Sequence, residues 1–251
     1  MKPFHNICNS NHTNKTCLPQ VSQHTVDQVL KNFHNIQNLW IELPAADLCT
    51  EDGVVLKWKA EFGSTLQNCI ILGGNRIDLK PVTEQGLMLE DNRSIPESFH
   101  TNGELKLRVV WIISSLIAAS TRHYLLEPII RVQPTLKTPV VTDVDGQGTL
   151  CTSSEQLREF KEKPLAASAP LQRTQVPASN MNLRYAPYLE LPEGIELQGA
   201  TLVAIKPSGD GSSTSKEEVE AFVCEAFDGP FEAAVKTLVK RRTHVLELNG
   251  F

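Results

Sequence analysis

Aromatic residues are scarce, at 6% of 251 residues, and positive charge is in no excess: 24 Lys and Arg stand against 29 Asp and Glu, for a net charge of −5. Few aromatics together with 15 prolines leave part of the chain outside a packed core. A pI near 5.8 provides no field to gather nucleic acid or anionic lipid, so neither a nucleic-acid partner nor direct membrane insertion is expected. No apolar run occurs between Met1 and Cys17, so no secretory signal is read there. The sequons at Asn11, Asn14 and Asn92 are then expected to be unused, and the six cysteines to be reduced thiols of a cytoplasmic protein.

Catalytic signatures are missing as well. The sequence has no G-x-S-x-G elbow, no Walker loop, no H-E-x-x-H and no G-x-G-x-x-G. His5, Cys8, His12 and Cys17 lack the tight pair spacing of structural zinc sites, so residues 1–17 read as a flexible polar tail. Asp143 to Gly146 reads as a plain turn, because the calcium-loop arithmetic fails at Ser154. No enzyme activity, cofactor or metal is expected.

What is present is organised around the stretch from Gly103 to Leu126, which is uncharged between Arg108 and Arg122. Asn102 is expected to cap it, Glu104 to favour its first turn and Pro128 to end it. Thirteen uncharged residues are too few to span a bilayer, and their apolar side chains surround the axis, as in a buried core helix. Upstream, Val26, Val29, Leu30 and Phe33 share a helical stripe. Leu39–Leu43 and Val54–Phe62 alternate like strands; Leu56, Trp58, Ala60 and Phe62 form one face, Lys57, Lys59 and Glu61 the other. With Thr50-Glu-Asp-Gly53 between them, the two strands read as an antiparallel hairpin with one wet face, covering the helix with the other.

Cys69–Leu72 is a further strand candidate, residues 75–102 read mostly as loop, and Ile129–Val132 and Pro139–Val144 are weak strands. Residues 151–190 shift to Ser, Pro, Ala, Gln and Lys and read as a disordered linker. Leu197–Ile205 is a candidate strand. Ser215 and Glu218 have capping-box spacing before a helix from Lys216 to Phe227. A second helix is expected from Pro230 to about His244, with Phe231, Ala234, Val235, Leu238 and Val239 as its stripe. Two short amphipathic helices with no core of their own suggest adhesion to partners.

Four stretches stand out, in order: Leu18-Pro-Gln-Val-Ser22; Trp40-Ile-Glu-Leu43 with Thr50-Glu-Asp-Gly53 and Val55-Leu-Lys-Trp58; Ser115-Leu-Ile-Ala-Ala-Ser-Thr-Arg122 followed by Tyr124; and Leu202-Val-Ala-Ile-Lys-Pro207 with Glu218-Val-Glu-Ala-Phe222 and Phe227-Asp-Gly-Pro230. Together they resemble the autophagy-related protein 13 family, the HORMA-domain subunit of the autophagy-initiation kinase complex. The resemblance covers about half of the chain and implies a reduced HORMA-like domain over residues 18–150. It implies an α+β fold with an antiparallel sheet around a central buried helix, then a linker over 151–190 and a largely disordered partner-binding tail with short helices over 191–251.

The implied function is a non-catalytic adaptor at the phagophore assembly site. Its implied partners are the autophagy-initiating serine/threonine kinase, the partner HORMA protein autophagy-related protein 101 and a large coiled-coil scaffold subunit. Kinase binding would fall on Val219, Phe222, Val223 and Phe227 by helix-in-groove packing. Arg122 would contact a phosphorylated or acidic partner, although its place at a helix end equally suits a capping role. Leu202 and Ile205 fall where the family has its modifier-binding motif. The alternatives are a generic α+β protein-interaction module unrelated to autophagy and, further off, a thiol or metal enzyme.

Overall fold

The computed structural model describes residues 26–44, 53–79, 99, 103–162, 176–208 and 222–250. In chain order the elements are α1 (Val26–Leu30), β1 (Asn38–Leu43), β2 (Val55–Phe62), β3 (Leu66–Gly74), β4 (Arg76–Leu79), α2 (Glu104–Val132), β5 (Thr138–Asp143), β6 (Gly148–Cys151), α3 (Ser154–Glu162), β7 (Ser179–Leu191), β8 (Ile195–Pro207), α4 (Pro230–Leu238) and β9 (His244–Leu248). The described strands form one sheet in the order β1-β5-β6-β2-β3-β8-β7-β9, with β4 paired to β8. The class is α+β.

The sheet is mixed. β1 pairs with β5 and β2 with β6 in parallel, and the remaining pairs are antiparallel. This departs from the all-antiparallel, HORMA-like arrangement expected, and it separates the expected hairpin: β5 and β6 stand between β1 and β2. A parallel neighbour requires a long crossover, and α2 lies on the connections from β1 to β5 and from β2 to β6. The actual hairpin is β2–β3, turned at Gly63, whose N–H donates to Thr65 O at 3.0 Å.

Period-two alternation distributes apolar residues to both faces. On one face Trp58, Phe62, Ile71, Val203 and Ile205 pack with Ile112, Leu116 and Leu126 of α2 and with Leu157 and Phe160 of α3. On the other, Ile70, Leu72, Leu197 and Leu202 pack with Val223 and with Ala234, Val235 and Leu238 of α4. Helices therefore cover both faces, and the α4 stripe is the one expected.

Several boundaries differ from the sequence reading. The cap position of α2 is Gly103, in the left-handed region at φ 74°, and not the expected Asn102. The helix also continues through Pro128 to Val132. The bond that Pro128 lacks would go to the carbonyl of Tyr124, on the exposed side, while Ile129 and Ile130 beyond it are buried; their burial offsets the proline penalty of about 3 kcal/mol. The helix is long and apolar enough to cross a membrane, but one side of it is packed on the sheet.

The stretch 151–190, read as a linker, carries the end of β6, all of α3 and most of β7. β7 is anchored along its length by the β8 partner that its own composition did not reveal. Residues 191–251, read as a largely disordered tail, contribute β8, α4 and β9 to the folded body. The segment from 239 to 244 is no helix: α4 stops at Leu238, and His244 opens β9. Residues 1–17 and the Ser215 cap lie outside the described residues.

Candidate functional site

Two arginines fourteen positions apart, close to four helical turns, bring charge under α2. Arg108 is buried, and its Nη2 donates to Gly199 O at 3.2 Å, its Nε to Thr201 Oγ1 at 3.3 Å and its Nη1 to Glu104 O at 3.3 Å. The rings of Phe99, Trp111 and Tyr185 surround its guanidinium with centroids 5.0–5.7 Å away. Burial lowers the Arg108 pKa from its ordinary value. Tyr185, pushed up to about 12 mainly by burial, donates its hydroxyl to Glu104 Oε2 at 3.3 Å.

Arg122 is buried as well. Its Nη2 pairs with Asp143 Oδ1, Asp143 Oδ2 accepts the Gly148 N–H at 2.9 Å, and the Trp58 ring lies 4.3 Å from the guanidinium carbon. With 4% of its surface exposed, Arg122 cannot reach a phosphorylated or acidic partner. It is not a C-terminal cap either, because the helix runs on to Val132. Between the arginines and α3, His123 stacks on Phe62 at 4.6 Å, meets Phe160 edge-on at 5.2 Å and hydrogen-bonds through Nε2 to Gly63 O at 2.9 Å. Burial pushes its pKa down to about 4. These clusters join helix to sheet.

The tail residues are also turned inward. Val223 is buried, and Phe222 and Phe227 pack against the same core; Val219 lies outside the described residues. The wet face expected of β2 is their seat. Lys57 Nζ lies 4.9 Å from the Phe231 centroid and Lys59 Nζ 5.5 Å from that of Phe222. The same two ammonium groups donate to Gly146 O at 2.8 Å and to Glu225 O at 3.2 Å. Leu202 and Ile205 are fully buried, on opposite faces of β8, and a recognition motif needs accessible side chains.

Among the described residues no group of His, Cys, Asp and Glu is placed to hold a metal. The thiol of Cys69 is buried and pushed up to about 12, and burial raises that of Cys151, the opposite of an activated nucleophile. Among the described residues, apolar side chains also lie open to solvent. Leu107, Val110, Ile117 and Tyr124 are exposed on the outer side of α2, and Trp40 is 70% exposed on the edge strand β1. The sequence signal for the α2 surface was available: an apolar residue on every side of a helix that can bury only one side.

The comparisons with known proteins agree on one family. The chain is 56% identical over 241 residues to the Arabidopsis thaliana F-box protein At4g18380, a match covering 92% of this chain and 62% of that protein. It is 56% identical over 246 residues to F-box protein At5g46170 of the same plant, covering 92% and 61%. It is 37% identical over 239 residues to the Arabidopsis F-box protein AUF1, covering 92% and 71%. The chain thus spans about three fifths of the length of the first two relatives. No protein-family model and no solved structure matches it. Identity of 37–56% over 92% of the chain overturns the autophagy resemblance, which rested on four short stretches, and with it the autophagy kinase, autophagy-related protein 101 and the scaffold as partners.

Proposed function

Because the chain belongs to the F-box protein family, we propose that it is a non-catalytic adaptor module of a cullin-type ubiquitin ligase, holding a protein for ubiquitin transfer. The observation that carries this reading is the 37% identity to AUF1 over 92% of the chain. Two observations support it indirectly: Arg108 and Arg122 are engaged in helix–sheet joints, while apolar side chains lie open on α2 and β1. This is the protein-interaction module named above as the alternative, now given a ligase to serve.

The test is dosage. Tagged chain is expressed at graded levels in plant cells with the proteasome blocked, its bound proteins are retrieved, and their ubiquitin conjugates are quantified. Conjugation of the retrieved proteins should rise with the level of the chain, and in parallel cells with an active proteasome their half-life should fall. Retrieved proteins whose conjugation is indifferent to that level would contradict the proposal.

A further inference from the structure

Positive charge is in deficit over the whole chain but concentrated at one turn. Net charge is −5, yet Lys236, Lys240, Arg241 and Arg242 follow one another with no carboxylate between Glu232 and Glu247. Lys236 Nζ pairs with Glu232 Oε1, one helical turn earlier on α4. Cations suit the C-terminal turn of a helix, which accounts for Lys240. Arg242 lies beyond that reach, because α4 closes at Leu238. Lys240 and Arg242 are exposed, and Arg241 between them is half-buried.

Thr243 follows this tract directly. It is exposed, and it lies outside helix and strand, between α4 and β9. Among the described strands, β9 after it pairs only with β7, at the end of the sheet. Other hydroxyls sit differently. That of Thr237 donates to Ala233 O at 2.9 Å and that of Thr121 to Ile117 O at 2.8 Å, both within a helix. Among the described residues, no other Ser or Thr has more than one basic residue in the three positions before it.

We propose that Thr243 is a phosphorylation site for a serine/threonine kinase that selects basic residues before its acceptor. Such an enzyme presents carboxylates to its substrate, and Lys240 and Arg242 meet them as charge-assisted hydrogen-bond donors. The step moves the terminal phosphoryl group of ATP. A P–O bond forms to Thr243 Oγ1, the bond from that phosphorus to the β–γ bridging oxygen breaks, ADP leaves, and the hydroxyl proton goes to the kinase's catalytic aspartate. In-line transfer requires the acceptor hydroxyl to reach the bound nucleotide, which an exposed turn at the rim of the sheet permits and a packed helix does not. The phosphate adds about −1.5 to −2 charge beside Arg242 and so offsets much of the tract's positive charge. This modifying enzyme is not the autophagy kinase excluded above, and the proposal does not depend on the ubiquitin-ligase reading.

The test incubates the folded full chain with ATP, magnesium and the catalytic subunit of cyclic-AMP-dependent protein kinase, which selects basic residues before its acceptor. Mass spectrometry follows phosphate site by site. Thr243 should be modified, whereas casein kinase II, which selects acidic surroundings, should leave it bare. The double variant Lys240→Ala/Arg242→Ala, at exposed positions, should slow modification of Thr243 roughly tenfold or more, the effect of losing a hydrogen bond to a charged group, with an unchanged circular dichroism spectrum. Arg242→Gln alone should slow it in the same direction. Chain retrieved from plant cells with phosphatases blocked should carry phosphate at Thr243. A bare Thr243 in the folded chain, in either setting, would overturn the proposal. Equal rates in the native chain and both variants, or equal modification by casein kinase II, would overturn it as well.

Discussion

Arg122 on α2 and Asp143 at the end of β5 form an ion pair that both residues bury almost completely. The pair joins the long helix to the parallel β1–β5 edge of the sheet, and Trp58 of β2 covers it. Removing one partner of such a pair strands the other charge in the interior. Asp143→Asn or Arg122→Met should therefore lower stability by about 3–5 kcal/mol, read as a lower urea midpoint with an unchanged slope. The double variant Arg122→Met/Asp143→Leu should recover part of the loss. A loss in the double variant equal to the sum of the two single losses would show that the pair is not coupled.

His123 sets a pH dependence. Its pKa in the fold is about 4, against 6.5 for the free side chain. Between these values the unfolded chain binds the proton and the fold does not, so stability rises with pH across that window and is lost as pH falls from about 6.5 towards 4. The loss amounts to roughly 3 kcal/mol. Urea titrations at pH 4.5 and 7 should show it for the native chain, and His123→Gln should flatten the difference. An unchanged difference in that variant would assign the dependence elsewhere.

Gly148 permits Trp58 to lie flat on β6. A Cβ at that position would fall 2.2 Å from Trp58 Cε2, so ring or strand must move. Gly148→Ala should destabilise by about 1–3 kcal/mol, and Trp58 fluorescence should report the displaced ring. A native spectrum with native stability would contradict the packing.

The C-terminal stretch is part of the fold. Leu238 is fully buried against the sheet face that β8 shares, so Leu238→Ala should cost about 2–5 kcal/mol. If this stretch were a free partner-binding tail, the substitution would leave the thermal midpoint unchanged.

Local patterns carried much of the architecture. The Leu56, Trp58, Ala60 and Phe62 face and the stripe of α4 follow from periodicities of 2 and 3.6, and the existence of α2 from its long uncharged apolar run. Pairing partners did not follow. Thr50 to Gly53 is a turn signal, but a turn does not choose which strand its neighbours join, and β1 found β5 nearly a hundred residues away. Arg122 looked available because its counter-charge lies 21 positions later on another element. The lysines of β2 looked solvated because the phenylalanines that cover them come about 165–175 residues later. Four short stretches in the right order also resembled the wrong family, since apolar strand and helix fragments recur among unrelated folds, whereas 56% identity over 92% of the chain does not.

The most direct measurement is immunoprecipitation of the protein at its native length from plant cells, with quantitative mass spectrometry of what is bound. The adaptor account predicts cullin ubiquitin-ligase subunits in near-stoichiometric amounts, together with ubiquitin-conjugated proteins that are lost from the precipitate when surface positions such as Trp40 are substituted. A precipitate free of ligase subunits, from protein shown to be folded, would contradict it.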